Sequence, residues 1–203
     1  YCIYAVVLFI VLMIPVFIWS LFALTQGRIK GGNLVYGGCR VWAALWFPLI
    51  FIRHRNIFEQ PLDAAGSYIF VANHISYLDA AIIPNTFRQP VRPLGKVELS
   101  KIPIFGFIYK NTIVTVDRSS SGNRSKSVQL LKSILRKGIS VLVFPEGTFN
   151  TTGRPVKEFY DGAFRIAIET GTPIRPVLFL DTFHRMHYSS LFSLTPGRNR
   201  CIF

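Results

Sequence analysis

The chain is short of acid. Its 203 residues carry 10 Asp and Glu against 23 Lys and Arg, a formal net charge of +13. That imbalance points to anionic partners: a membrane surface, acidic ligands or nucleic acid. Cysteine is scarce as well. Cys2, Cys39 and Cys201 are odd in number and far apart, which offers no disulfide framework and no zinc spacing and fits a reducing compartment. There is no Gly-x-x-x-x-Gly-Lys phosphate loop, no Gly-x-Gly-x-x-Gly and no Gly-x-Ser-x-Gly elbow. No nucleic-acid-binding motif and no internal repeat is visible. The chain does not begin with Met and stops in the apolar run Cys201-Ile202-Phe203, so a fragment trimmed at both ends is expected.

Apolar residues are abundant. They make up 50% of the chain, which is high for a soluble protein. Residues 3–24 form an almost unbroken apolar run, long enough to span a bilayer. A signal peptide is the rival reading, but the run is too long, no basic region precedes it and no small-residue cleavage site follows. Arg28, Lys30 and Arg40 come next with no acid among them, which by the positive-inside rule places the remainder in the cytoplasm. Gly31-Gly32 and Gly37-Gly38 predict a turn region. Residues 42–52 are apolar again, interrupted by Pro48 and closed by Arg53-His54-Arg55; they predict a second helix, re-entrant or interfacial, with basic headgroup anchors. A core helix is the alternative. The expected organisation is a membrane-anchoring helix pair over 1–56 and a second domain over 57–203.

From about Ile57 short β-prone runs alternate with helical ones. Strands are predicted at 68–72, 112–116, 140–144 and 174–180, helices at 79–83, 101–109, 125–137 and 162–170. The first of these helices is expected to stop at Pro84. Segment 125–137 is amphipathic, with Val128, Leu131, Ile134 and Leu135 on one side and Gly138 as its C-cap. Ser119-Ser120-Ser121-Gly122-Asn123 reads as a mobile polar loop. The alternation predicts an α/β layered domain.

The stretch Asn73-His74-Ile75-Ser76-Tyr77-Leu78-Asp79 sits where the first of these strands gives way to a helix. Open α/β sheets place their ligands at such carboxyl ends. Five residues is about 500° of helix, so His74 and Asp79 meet only if His74 lies on the turn and Asp79 in the first helical turn. Asp79 then holds one ring nitrogen and leaves the other free to take a proton. Ser76-x-x-Asp79 is also a capping-box pattern, which leaves Asp79 a purely structural alternative. The other strand ends carry Lys96, Asp117-Arg118 and Pro145-Glu146-Gly147-Thr148. Arg118 and Lys96 suit an anion, Gly147 permits close backbone approach, and Glu146 or Thr148 suits a hydroxyl or phosphate.

Taken in order, these blocks resemble the membrane-bound 1-acylglycerol-3-phosphate acyltransferase family. The resemblance runs from about Phe70 to about Leu180 through His74-x4-Asp79, Val114-Thr115-Val116-Asp117-Arg118, Phe144-Pro145-Glu146-Gly147-Thr148 and Thr172-Pro173-Ile174-Arg175-Pro176-Val177, with Lys96-Val97-Glu98-Leu99 between the first two. It implies an acyltransferase domain built on a central mixed sheet behind a membrane helix pair. It implies transfer of a fatty acyl group from acyl-CoA or acyl carrier protein to a lysophospholipid hydroxyl, with no cofactor and no metal. His74 is then the general base, Asp79 its orienting partner, and Lys96, Arg118, Glu146, Gly147 and Thr148 hold the acceptor. The family usually carries Arg directly after Glu-Gly-Thr; here Phe149 stands there, with Arg154 a few residues on, so a phosphate-free acceptor such as a lyso-aminolipid is the alternative. Two different-class readings are a membrane-anchored binder of anionic lipid or nucleic acid, and a metal hydrolase using His184 and His187.

Overall fold

The computed structural model describes residues 1–63, 66–116 and 121–203. Helix α1 (Cys2–Ala23) turns through Leu24–Gln26 and Gly27 into α2 (Arg28–Leu49). After Ile50 and Phe51 come β1 (Ile52–Ile57), β2 (Ile69–Ala72), α3 (Leu78–Thr86), β3 (Val91–Lys96), α4 (Phe105–Thr112) and β4 (Val114–Val116). Then follow α5 (Ser121–Leu135), β5 (Ser140–Val143), α6 (Gly162–Thr170), β6 (Ile174–Phe179), the single turn α7 (Thr182–Arg185) and β7 (Gly197–Ile202).

The seven strands form one mixed sheet in the order β1-β7-β6-β2-β5-β3-β4. Every neighbouring pair is parallel except β6 and β7. Because β6, β2, β5, β3 and β4 all point one way, their carboxyl ends share one edge. Period-two alternation in the strands builds a layer on each face. Ile69, Val71, Val141 and Val143 pack with Leu131, Ile134 and Leu135 of α5 and Ile166 of α6. Phe70, Ala72 and Leu142 face the other way, toward Phe47 of α2 and Ile82 of α3. The amphipathic reading of α5 holds, although the helix begins at Ser121 and takes in the second half of the expected polar loop; Ser119 and Ser120 lie outside the described residues.

The amino-terminal segment differs most from expectation. Gly31, Gly32, Gly37 and Gly38 all lie inside α2, and the helix ends at Leu49. Gly31 and Gly38 serve approach between the two helices, not reversal of the chain. A Cβ at Gly31 would stand 2.5 Å from the Ala23 carbonyl oxygen, and one at Gly38 2.9 Å from Trp19 Cδ1. The expected turn sits earlier, at Gly27 with φ +86°. The end of the hairpin is tied to its start, since Tyr1 and Tyr4 donate their hydroxyls to the carbonyls of Ile50 and Leu49. Arg53-His54-Arg55 does not flank a helix; it lies in β1, so the expected boundary at 56/57 falls within a strand of the sheet. Pro84 does not stop α3 either. It deprives only the Ala80 carbonyl of a partner, and the Phe87 amide still reaches the Ile83 carbonyl at 3.0 Å.

Candidate active site

His74 lies on the loop leaving β2 and Asp79 is the second residue of α3. His74 Nδ1 is 2.9 Å from Asp79 Oδ2. The same oxygen accepts the backbone amides of Ile75 at 2.7 Å and Ser76 at 2.8 Å. Asp79 is fully buried, and an ionised carboxylate only accepts. The proton therefore sits on Nδ1, and Nε2 keeps its lone pair. No hydrogen bond reaches Nε2 among the described residues. Ser76 Oγ accepts the Leu78 amide at 2.9 Å and donates to the Met186 carbonyl. The Asp79 half of the capping pattern and the His–Asp pair, alternatives in the sequence, coexist here.

Neighbouring strands clamp the loop. Asn73 donates to the Phe179 carbonyl at 3.0 Å and accepts the Phe179 amide at 2.8 Å, tying the loop to β6. The Asn150 amide donates to the His74 carbonyl at 2.7 Å, tying it to the loop after β5. The imidazole stacks on Phe144, ring centroids 4.1 Å apart at 17°. Phe149 adds a tilted contact at 4.4 Å and itself meets Tyr77 at 4.8 Å and Tyr188 at 6.2 Å. His74 thus presents an imidazole with a fixed tautomer and an open Nε2 in an aromatic surround.

The loop after β5 turns at Gly147, φ +73°, a conformation that favours glycine. Tyr160 donates its amide to the Pro145 carbonyl at 2.9 Å, bringing the segment around 157 back over this turn. Lys157 Nζ consequently donates to Thr148 Oγ1 at 2.7 Å. Sequence spacing gave no sign of Lys157, because it reaches the site only through this return of the chain.

The Acyltransferase family profile matches residues 53–180. The chain belongs to the acyltransferase family. It is 34% identical over 140 residues to the 1-acyl-sn-glycerol-3-phosphate acyltransferase of Salmonella typhimurium, covering 66% of this chain and 56% of that one. To the enzyme of that name from Cocos nucifera it is 27% identical over 198 residues, covering 90% and 60%. The chain therefore spans less than two thirds of these relatives. The crystal structure of the 1-acyl-sn-glycerophosphate (LPA) acyltransferase PlsC from Thermotoga maritima shares the fold, with a TM-score of 0.73 at 24% identity over 98% of this chain and 83% of that one.

In this member of the family the expected site residues divide. His74, Asp79, Gly147 and Thr148 share one neighbourhood with Phe144 and Phe149. Glu146 is there too, but sealed from solvent, so it presents no carboxylate to an acceptor in this conformation. Its oxygens complete no well-aligned hydrogen bond among the described residues. Burial pushes its carboxyl above the usual range, while the nearby amides and side chains of Lys157 and His74 pull it back. Lys96 is exposed at the end of β3, two strands and so about 10 Å across the sheet from β2, and makes no contact with His74. Arg118 and Asp117 lie outside the described residues. Arg154 is exposed, and its carbonyl accepts Asn150 Nδ2 at 2.8 Å. His187 Nδ1 is taken up by Ser189 Oγ at 2.6 Å, and among the described residues no group of three or more His, Cys, Asp or Glu is arranged to hold a metal ion.

Proposed function

We propose that the protein transfers a fatty acyl group from a thioester to the free hydroxyl of a lysophospholipid, with 1-acylglycerol-3-phosphate the favoured acceptor and phosphatidic acid the product. The observation that carries this is the His74 Nδ1–Asp79 Oδ2 contact of 2.9 Å at the carboxyl edge of the sheet. The acceptor hydroxyl donates to His74 Nε2. As its oxygen attacks the thioester carbonyl, the proton passes to Nε2, and the imidazolium forms against the buried Asp79 carboxylate. The tetrahedral adduct collapses, the C–S bond breaks, and the departing thiolate of CoA or acyl carrier protein takes the proton from Nε2. The thioester is already activated, so direct attack suffices without an acyl-enzyme.

Lys157 and Arg118 supply the positive charge for the acceptor phosphate in this reading. Lys157 replaces the expected role of Arg154, because its ammonium is anchored beside Thr148. Phe149, packed on His74, faces the glycerol or acyl part. A phosphate-free acceptor remains the second reading, favoured by the aromatic ring standing where the family carries arginine.

The membrane supplies the acceptor and holds the protein. Residues 2–26 are long and apolar enough to cross a bilayer. Yet α1 packs along the domain: Phe9 meets Trp42, Trp46 and Phe105, and Phe17 meets Phe107. Its other side exposes Ile3, Val7, Ile10, Ile14, Ile18 and Phe22. The hairpin therefore lies in one leaflet, on the cytoplasmic side, with the domain beside it. The test is an assay of purified protein in detergent with a labelled acyl donor and a panel of lysolipids. Lys157→Ala is expected to raise the KM for lysophosphatidic acid about ten- to a hundred-fold, the worth of one hydrogen bond to a charged group. A wild-type protein inactive on lysophosphatidic acid, active on a phosphate-free lysolipid and indifferent to Lys157→Ala would overturn the phosphate assignment.

A further inference from the structure

A second basic site lies at the opposite edge of the sheet. Strand β1 runs parallel to β7, which runs antiparallel to β6, and β6 is parallel to β2. The carboxyl end of β1 therefore points away from His74. There, between α2, β1 and the carboxyl end of α3, is a pocket of about 410 Å³ lined by Arg40, Arg55, Arg88, His54, Asn56 and Asn85 among others. Asn85 is six residues along α3 from Asp79, about 9 Å of helix. This is a different place from the catalytic one.

The floor of the pocket is fixed and neutral. Asn199 Nδ2 donates to His54 Nδ1 at 3.0 Å, which puts the ring proton on Nε2, and that proton goes to Asn56 Oδ1 at 2.7 Å. Asn56 Nδ2 donates in turn to the Thr86 carbonyl at 2.8 Å. Burial also lowers the His54 pKa, which keeps the ring uncharged. The walls are the opposite. Arg40, Arg55 and Arg88 are exposed, and none forms an ion pair or side-chain hydrogen bond among the described residues. Three guanidinium forks around a preformed cavity of this size are matched by a phosphate, which guanidinium binds in bidentate geometry.

The surroundings name the source. Arg40 and Ala44 line the pocket, and the residues beside them on α2, Val41 and Leu45, are exposed apolar side chains. They continue the apolar surface of the hairpin. A phosphate reaching this pocket while its chains rest on Val41 and Leu45 belongs to a lipid.

We propose that Arg40, Arg55 and Arg88 form a docking site for the phosphate of an anionic phospholipid, separate from the catalytic acceptor site. It rests on the reading of the hairpin as embedded in lipid. A bound headgroup here holds the hairpin flank against the bilayer and makes membrane affinity depend on anionic lipid at one point rather than through diffuse charge.

The test is vesicle flotation of the full chain on neutral phosphatidylcholine and on the same vesicles with phosphatidic acid or phosphatidylglycerol. Wild type should bind anionic vesicles at least ten-fold more tightly than neutral ones. Arg55→Gln/Arg88→Gln should lose most of that preference, while Arg53→Gln/Arg198→Gln, which removes equal charge outside the pocket, should keep it. Activity on a micellar lysolipid in neutral detergent should be unchanged in both. Inorganic phosphate and adenosine 3′,5′-bisphosphate, followed by calorimetry, address free phosphates; tight binding by either that is lost in Arg55→Gln/Arg88→Gln keeps the anion site and overturns the lipid source. Equal losses in the two double variants would overturn the site. Failure to float on any vesicle would overturn the membrane reading instead, and calorimetry would still report on the pocket.

Discussion

Replacing Asp79 by Asn separates what its carboxylate does for folding from what it does for chemistry. One oxygen accepts three donors, the Ile75 and Ser76 amides at 2.7 and 2.8 Å and His74 Nδ1 at 2.9 Å. The other oxygen is buried without a partner among the described residues. In the Asn variant the carbonyl keeps the three donors as a neutral acceptor, weakening each by about 1 kcal/mol. The NH₂ falls at the partnerless position and costs about 1–3 kcal/mol as a buried unsatisfied donor. The sum, on the order of 4–6 kcal/mol, is a large share of ordinary stability but leaves the chain folded. At about 2–4 °C per kcal/mol for a chain of this size, the melting temperature should drop by roughly 15 °C. Turnover should fall further, about 10²- to 10⁴-fold, because the imidazolium that forms as the proton is taken loses its counter-charge. The assay is acyl transfer to a lysolipid at a temperature where both proteins are folded. His74→Ala should lose as much turnover, and the double variant should be no slower than His74→Ala alone, since the two act as a unit. An Asp79→Asn protein that melts lower yet turns over within about threefold of wild type would refute the pairing and leave Asp79 a cap.

Two further perturbations follow. The Glu146 carboxyl is raised by burial, so the folded protein holds its proton more firmly than the unfolded chain; stability is full at acid pH and falls as pH rises from the ordinary carboxylate range through the raised value. Glu146→Gln should remove that decline, melting like wild type at acid pH and higher at neutral pH; a melting-temperature difference independent of pH would contradict the burial argument. At the helix hairpin, Gly31→Val should cost about 1–3 kcal/mol or more, because its Cβ would press on the Ala23 carbonyl, whereas Gly37→Ala, with nothing within 4 Å, should gain about 0.5–1 kcal/mol. Equal responses of the two in detergent melts would show that close packing does not place these glycines.

β2 was legible because Tyr68-Ile69-Phe70-Val71-Ala72 is apolar and β-prone and His74-x4-Asp79 directly follows. α6 was legible as well, and its span agrees with the expectation. β3 was not, because Arg92, Pro93 and Gly95 are residues that ordinarily argue against a strand. Arg92 is buried there with Asn33 of α2 accepting from it at 2.5 Å, a partner 59 residues away that no local pattern announces. β1 and β7 were hidden by arginines that point outward from the side of the sheet. The glycines of α2 read as turns because local propensity knows nothing of α1 beside them. Lys157 escaped for the same reason: its place depends on where the chain returns.

Only Ile50 and Phe51 separate α2 from β1, and Tyr1 and Tyr4 fasten the hairpin at that point. In the proposed reading, this short link alone joins the part that sits in lipid to the sheet that carries His74. Under the proposed function, the edge that carries His74 accordingly rides at a set draught, and the bilayer acts as a ruler. Hydroxyls at one depth in the leaflet come within reach of Nε2; those buried deeper or lifted clear do not. Selectivity for a lysolipid hydroxyl is then partly a matter of altitude, decided before any side chain touches the headgroup.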